Sequence, residues 1–255
     1  MKRIKPLISH FDPQVGPELA RYNDWVGRTC LLLQGGRHVA DIGVLYPVAA
    51  MQAHARLDAV VDQPKVAGNV HPGLYVPPLT DLNEVSDCLT GELRRDFTFL
   101  HPDVLNTRCS IDGPVLRLNN ATNREAYSVL LLPSARVLHA DNAKRLQAFV
   151  EAGGRVVVTT QLPAKSAELG RDAEVVAALR ALFGDRPVDA SQRPYVKRVH
   201  PSGGAAYFVP NASGAALGAA LDDALPVPDV RVAENGPAVG PVAPTQSAPG
   251  NTVGV

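Results

Sequence analysis

Residues 126–160 constrain this chain more than any other stretch. Ala126-Tyr127-Ser128-Val129-Leu130-Leu131-Leu132-Pro133 is an apolar run of strand length, and Arg155-Val156-Val157-Val158-Thr159-Thr160 is a second. Between them lies a helical run closed by the double glycine Gly153-Gly154. Continuously apolar strands belong to a sheet covered on both faces, so the segment spells a βαβ unit within a mainly parallel sheet. Such sheets carry ligands at the carboxyl ends of their strands, which singles out Pro133-Ser134-Ala135 and Thr159-Thr160-Gln161.

The remaining pattern extends this alternation. A helix is predicted from Pro17 to Gln34, where Leu19, Tyr22, Val26, Cys30 and Leu33 share one face and Gly35-Gly36 supplies the stop. Trp25, Leu31 and Leu32 make its apolar surface wider than a surface helix requires. His38 to Pro47 reads as the first sheet strand, followed by a helix from Val48 to about Val61. Residues 63–78, rich in proline and glycine, read as a long irregular connection. Thr80 or Asp81 caps a helix reaching about Arg95, and Asp96 to Leu100 is a short strand ending at His101-Pro102. The alternation around Asp112-Gly113 predicts a hairpin off the main sheet. Further on come a helix stopped by Gly184, strands at Tyr195–Val199 and Ala205–Val209, and a small-residue helix from about Ala212 to Leu225.

Composition narrows the function classes. With 255 residues, a net charge of +0 and 45% hydrophobic content, the chain suits one or two globular domains and carries no bias toward nucleic acid or anionic membranes. Three widely spaced cysteines, Cys30, Cys88 and Cys109, fit neither a disulfide framework nor a metal-binding pair and read as buried free thiols. After Met1-Lys2-Arg3-Ile4-Lys5-Pro6 only Leu7 and Ile8 precede polar residues, so neither a signal-peptide core nor a membrane span is predicted. From Pro226 onward proline, glycine, alanine and valine dominate, and residues 231–255 are expected to be a low-complexity, disordered tail.

Catalytic constellations are hard to assemble from these residues. Most carboxylates sit at predicted helix starts or turns, leaving Asp41 and Asp96, within and at the start of strands, as the ones that need another explanation; structural hydrogen bonding is the expected one. No cysteine occupies a strand-to-helix elbow, so a glutamine-amidotransferase triad is not predicted. The turn Tyr46-Pro47-Val48-Ala49-Ala50-Met51 has no glycine and no hydroxyl beyond the phenol, so a flavin phosphate is not expected there. The seven histidines show no metal-ligand spacing. Neither cofactor nor metal is therefore predicted.

Tyr22 to Pro47, with its aromatic residues, Arg28, the leucine run, Gln34-Gly35-Gly36 and the Val39-Ala40-Asp41 strand, resembles the junction that follows the catalytic barrel in α-L-rhamnosidase-like glycoside hydrolases of family 106. Asp96 to Leu105 is similar to the next segment of those proteins. Tyr127 to Pro133 with Phe149-Val150-Glu151-Ala152-Gly153-Gly154 resembles the pattern they share with the glutamine-amidotransferase-like domains of β-galactosidases. The resemblance spans about residues 15–230. It implies an N-terminal segment at 1–36 like the end of a barrel, then a flavodoxin-like (class I glutamine-amidotransferase-like) α/β domain at 37–230 with helices on both faces.

The resemblance also implies that the acid and base carboxylates belong to a barrel upstream of Met1. On that reading the chain is a non-catalytic accessory piece of a glycosidase, with the barrel, or a second copy through the N-terminal helix, as partner. The alternative is a stand-alone flavodoxin-like module that binds a small ligand or a protein. Strand ends at Tyr46-Pro47, Leu100-His101, Pro133-Ser134 and Thr160-Gln161 offer a phenol, an imidazole, hydroxyls and an amide, which suit a neutral polyol better than an anion. Tyr46 and His101 are the candidate sugar-contacting residues.

Overall fold

The computed structural model describes residues 15–35, 38–54, 80–120, 124–184 and 194–225. The connection at 63–78, the tail beyond 230 and the first fourteen residues lie outside them. A six-stranded sheet forms the centre. Its strands are β1 (Ile42–Leu45), β2 (Phe97–Leu100), β6 (Val129–Leu132), β8 (Arg155–Thr159), β10 (Val196–Val199) and β11 (Ala205–Val209), in the order β10-β11-β8-β6-β1-β2. All neighbours run parallel except β10, which is antiparallel to β11. The expected mainly parallel sheet is thus present.

Alternate residues of each inner strand feed two cores. On one face Leu45, Leu130, Leu132, Val156 and Val158 pack beneath α4 (Pro102–Thr107), α5 (Ala140–Glu151) and α6 (Asp172–Phe183). On the other, Ile42, Val44, Val129, Leu131 and Val157 meet α3 (Leu82–Asp87) and α7 (Gly214–Ala224). The helix α3 does not run to Arg95 in regular form: it widens into a π-type turn over Cys88–Glu92, where Leu93 N bonds Cys88 O. The segment after β1, α2, is helical over Val48–His54, and the rest of the helix expected to reach about Val61 lies outside the described residues.

The run 126–133 is split rather than continuous. Ala126–Tyr127 forms β5, which joins β3 (Cys109–Asp112) and β4 (Val115–Leu118) in a separate three-stranded antiparallel sheet. The switch occurs at Ser128, where the amides of Ser128 and Val129 both donate to Asp41 O. Two further short strands, β7 (Val137–Leu138) and β9 (Lys165–Ser166), pair in parallel beside the main sheet. Being two residues each, they carry no periodicity that a sequence pattern could reveal.

The first helix, α1 (Gly16–Leu32), departs from the rest, since none of its residues is buried. Trp25 is 62% and Leu32 84% exposed. Cys88 and Cys109 are buried thiols, whereas Cys30, on α1, is exposed and corrects the expectation of three buried ones. Among the described residues no helix is long and apolar enough to cross a membrane.

Packing sets the stability map. Leu131→Ala, at a fully buried central position, is expected to cost about 2–5 kcal/mol. Leu32→Ala should stay within about 0.5 kcal/mol of the parent. Gly204→Ala would place a Cβ 2.0 Å from Val150 O, against backbone that cannot swing aside, and should abolish or severely weaken folding. Chemical denaturation of the three variants checks all of this.

Candidate functional site at the carboxyl edge

The chain leaves β1 toward β2 on one side and returns to β6 on the other, so the topological switch lies between β1 and β6. A ligand crevice in an open α/β sheet is expected outside the carboxyl ends of those strands. Tyr46 stands at one wall, half-buried, with its ring edge-on to Phe99 at 5.8 Å and its amide bonded to Leu100 O at 2.9 Å. His101 follows β2, the neighbouring strand end. The two candidate residues therefore sit on adjacent strands.

His101 is the N-cap of α4: its Nδ1 accepts from the Asp103 amide at 3.3 Å, and its backbone is extended as caps require. Pro102 at the first helical position has no amide to satisfy, which suits that place. The ring is exposed and 3.6 Å from the Asp103 carboxylate.

At the other wall the crevice donors are taken by the protein itself. Asp81, just before α3, accepts from the Ser134 amide at 2.5 Å through Oδ1 and from the Thr160 hydroxyl at 2.7 Å through Oδ2. The Ser134 amide is shared with the buried Thr159 hydroxyl at 3.1 Å. Thr160 has φ of 56°, left-handed backbone that a β-branched residue rarely adopts, and the bond to Asp81 helps hold it there. Asp81 thus staples the turn after β6 to the turn after β8. Sequence reading placed Ser134 and Thr160 at this edge but took Asp81 only as a helix start; no local signal pairs it with groups 53 and 79 residues away.

A second staple lies farther along the edge. Glu168 accepts from His139 Nδ1 at 2.9 Å, from the Ala140 amide at 3.1 Å and from the Ser166 hydroxyl at 2.5 Å, joining the start of α5 to β9. Partial burial pushes its carboxyl up, but the hydrogen bonds from Ser166, Ala140 and His139 outweigh that and hold it at about 2. Beside it Arg171 bridges Glu174 and Asp141 at 2.7 Å each. Arg171 and Lys144 keep the Glu174 carboxyl at about 2 as well.

The two carboxylates left over from the sequence are engaged at the amino ends of the strands. Asp96 bonds His38 Nε2 at 2.7 Å, and His38 Nδ1 lies 2.9 Å from the Thr98 hydroxyl. Thr98 also bonds the buried Tyr127, whose hydroxyl donates to Glu125. Burial and then Glu125 push the Tyr127 phenol well above its ordinary range. The Thr98 hydroxyl, engaged on both sides, is a link in this relay rather than a free nucleophile. Asp41 takes the Ser128 hydroxyl at 3.4 Å, so Asp41 and Asp96 face different partners and do not form a pair across a crevice. Among the described residues no cluster of three or more metal-binding side chains occurs.

No protein-family profile matches the chain, and no curated protein sequence matches it. Solved structures do resemble it. A rhamnosidase from Novosphingobium sp. PP1Y is 20% identical and aligns with 86% of this chain and 17% of its own, at a TM-score of 0.47. Gan42B, a GH42 beta-galactosidase, is 13% identical and aligns with 87% of this chain and 35% of its own, at a TM-score of 0.51. The likeness to the beta-galactosidase shows a shared fold. This chain spans well under two thirds of either protein.

Two measurements check the staples. Asp81→Ala leaves the Ser134 and Thr160 donors without their carboxylate and is expected to cost about 1–3 kcal/mol of stability. The Glu168 carboxyl sits at about 2 in the fold against an ordinary 4.5, so its contribution is complete above about 4.5 and is lost as pH falls toward 2. Glu168→Gln should therefore flatten the acid limb of a stability-versus-pH curve between those values.

Proposed function

We propose that this chain is a non-catalytic accessory domain of a carbohydrate-active glycoside hydrolase of the α-L-rhamnosidase-like kind. The observation that carries this reading is α1, a seventeen-residue helix with no buried residue and with Tyr22, Trp25, Leu31 and Leu32 exposed. An isolated helix of that length is marginal in water, and its stability in proteins comes from packing an apolar face. Contiguous exposed apolar surface of this kind marks a docking site. On this reading a catalytic barrel covers it.

The remaining support is of two kinds. The strand order β2-β1-β6-β8-β11 is the 2-1-3-4-5 order of flavodoxin-like sheets, the fold that the resemblance implies for residues 37–230. The staple of Asp81 across the carboxyl edge uses the hydrogen-bond donors that a reacting ligand would need, which suits a supporting domain better than a catalytic one. Sugar contact from this edge falls to Tyr46 and His101, whose side chains belong to adjacent strand ends. The alternative, a stand-alone flavodoxin-like binding module, would place its ligand at the same edge.

Incubating the purified chain with an aryl α-L-rhamnoside tests the reading. No turnover above background is expected, and turnover at enzymatic rates overturns it. Trp25→Glu should leave the melting temperature unchanged, because nothing in the core depends on that ring, while weakening capture by a separately expressed barrel domain. A large loss of stability in this variant would show that α1 belongs to the domain core.

A further inference from the structure

We infer that β2 is a self-recognition edge, through which two copies of this chain pair antiparallel about a twofold axis at Thr98. The inference stands on the sheet itself and does not depend on the accessory-domain reading. β2 ends the six-stranded sheet, with β1 as its partner among the described residues. The Tyr46 amide bonds Leu100 O, and Leu100 pairs with Leu45. In a parallel ladder one residue directs both backbone groups the same way and its neighbours direct theirs oppositely. Leu100 and Thr98 therefore face β1, and Phe97 and Phe99 turn their N–H and C=O outward.

The two edges of the sheet are treated differently. β10, at the far edge, is Val196-Lys197-Arg198-Val199, antiparallel and carrying two cations, the usual protection against edge-to-edge pairing. Lys197 is further tied to Asp223 at 2.9 Å. β2 is Phe97-Thr98-Phe99-Leu100, with no charge and no proline. Phe99 is 47% exposed. Among the described residues one edge is blunted and the other is not.

The sequence of that open edge specifies what fits it. Thr98 carries a phenylalanine on each side, and a twofold axis makes every pairing across it reciprocal. With Thr98 opposite Thr98 of the second copy, Phe97 of each copy stands opposite Phe99 of the other. These are the outward-facing residues, so they form the hydrogen-bonded pairs, while the small threonines meet at the close, non-hydrogen-bonded position. Each Phe99 N–H then donates to Phe97 O of the other copy. The Phe97 N–H, bonded to Asp96 Oδ1 at 3.0 Å in the single chain, completes the ladder by exchanging that acceptor. The cross-strand pairs are aromatic with aromatic, among the favourable combinations. Asp96 of one copy faces Leu100 of the other, so like charges do not meet.

Sedimentation equilibrium of the whole chain tests this. Wild type should show a concentration-dependent dimer, and Phe99→Lys should weaken it roughly tenfold or more. Trp25→Glu, on α1, should leave it unchanged. Amide exchange needs no substitution: the Phe99 N–H should gain protection as concentration rises, and the outward amides of β10 should not. A chain that stays monomeric overturns the inference, as does a dimer that survives Phe99→Lys but fails in Trp25→Glu, or one whose Phe99 amide stays unprotected.

Discussion

The burial of β6 on both faces is the constraint on which the rest of the structure depends. Val129, Leu130, Leu131 and Leu132 are each 0% exposed, so each face needs its own layer of helices and each edge its own strand. β1 and β8 supply the strands, parallel to β6 and in register with it. Parallel neighbours need crossover connections, and these place α5 on one side and α3 on the other. Burying one such leucine contributes on the order of 2 kcal/mol, and the stack of them along four inner strands outweighs the weak helices around it. The π-type turn at Cys88–Glu92 survives because its Cys88 and Leu89 side chains are held in that core.

A second consequence concerns the carboxyl edge. Several strands ending side by side leave turns whose amides point into one shared cleft, the place where related architectures receive ligands. Here side chains of the same chain fill that role. Asp81 receives an amide and a hydroxyl, Glu168 receives an amide, a hydroxyl and an imidazole, and His101 caps the helix that follows β2. The bonds to the Asp81 and Glu168 carboxylates are charge-assisted, the stronger kind. The turns are rigidified by this, and these donors are engaged within the chain.

How much of this was legible differs by element. The βαβ unit over β6, α5 and β8 was readable because burial on both faces writes itself as an unbroken apolar run. The hairpin of β3 and β4 was readable from Asp112-Gly113. The break at Ser128 was not, because Ala126 to Leu132 is apolar throughout apart from one serine, and the switch is set by Asp41 O, 87 residues earlier in the chain. For the same reason Tyr46 and His101 could be placed at strand ends, whereas the Asp81 staple and the relay from Asp96 through His38 and Thr98 to Tyr127 could not. Hydrogen bonds between distant residues leave no periodicity.

What the sheet leaves unpaired is as orderly as what it buries. Lys197, Tyr195 and Asp223 lock β10 onto α7, and Lys197 sits 5.4 Å above the Tyr207 ring, so that edge is closed by charge and packing together. At β2 the Asp96 carboxylate covers the Phe97 amide, and that carboxylate is itself drawn aside by His38. His38 also ties the segment before β1 to the same strand through Thr98. The opposite end, with its tied lysine, shows that this fold is able to close an edge, which makes the open one a property of the sequence rather than of the architecture.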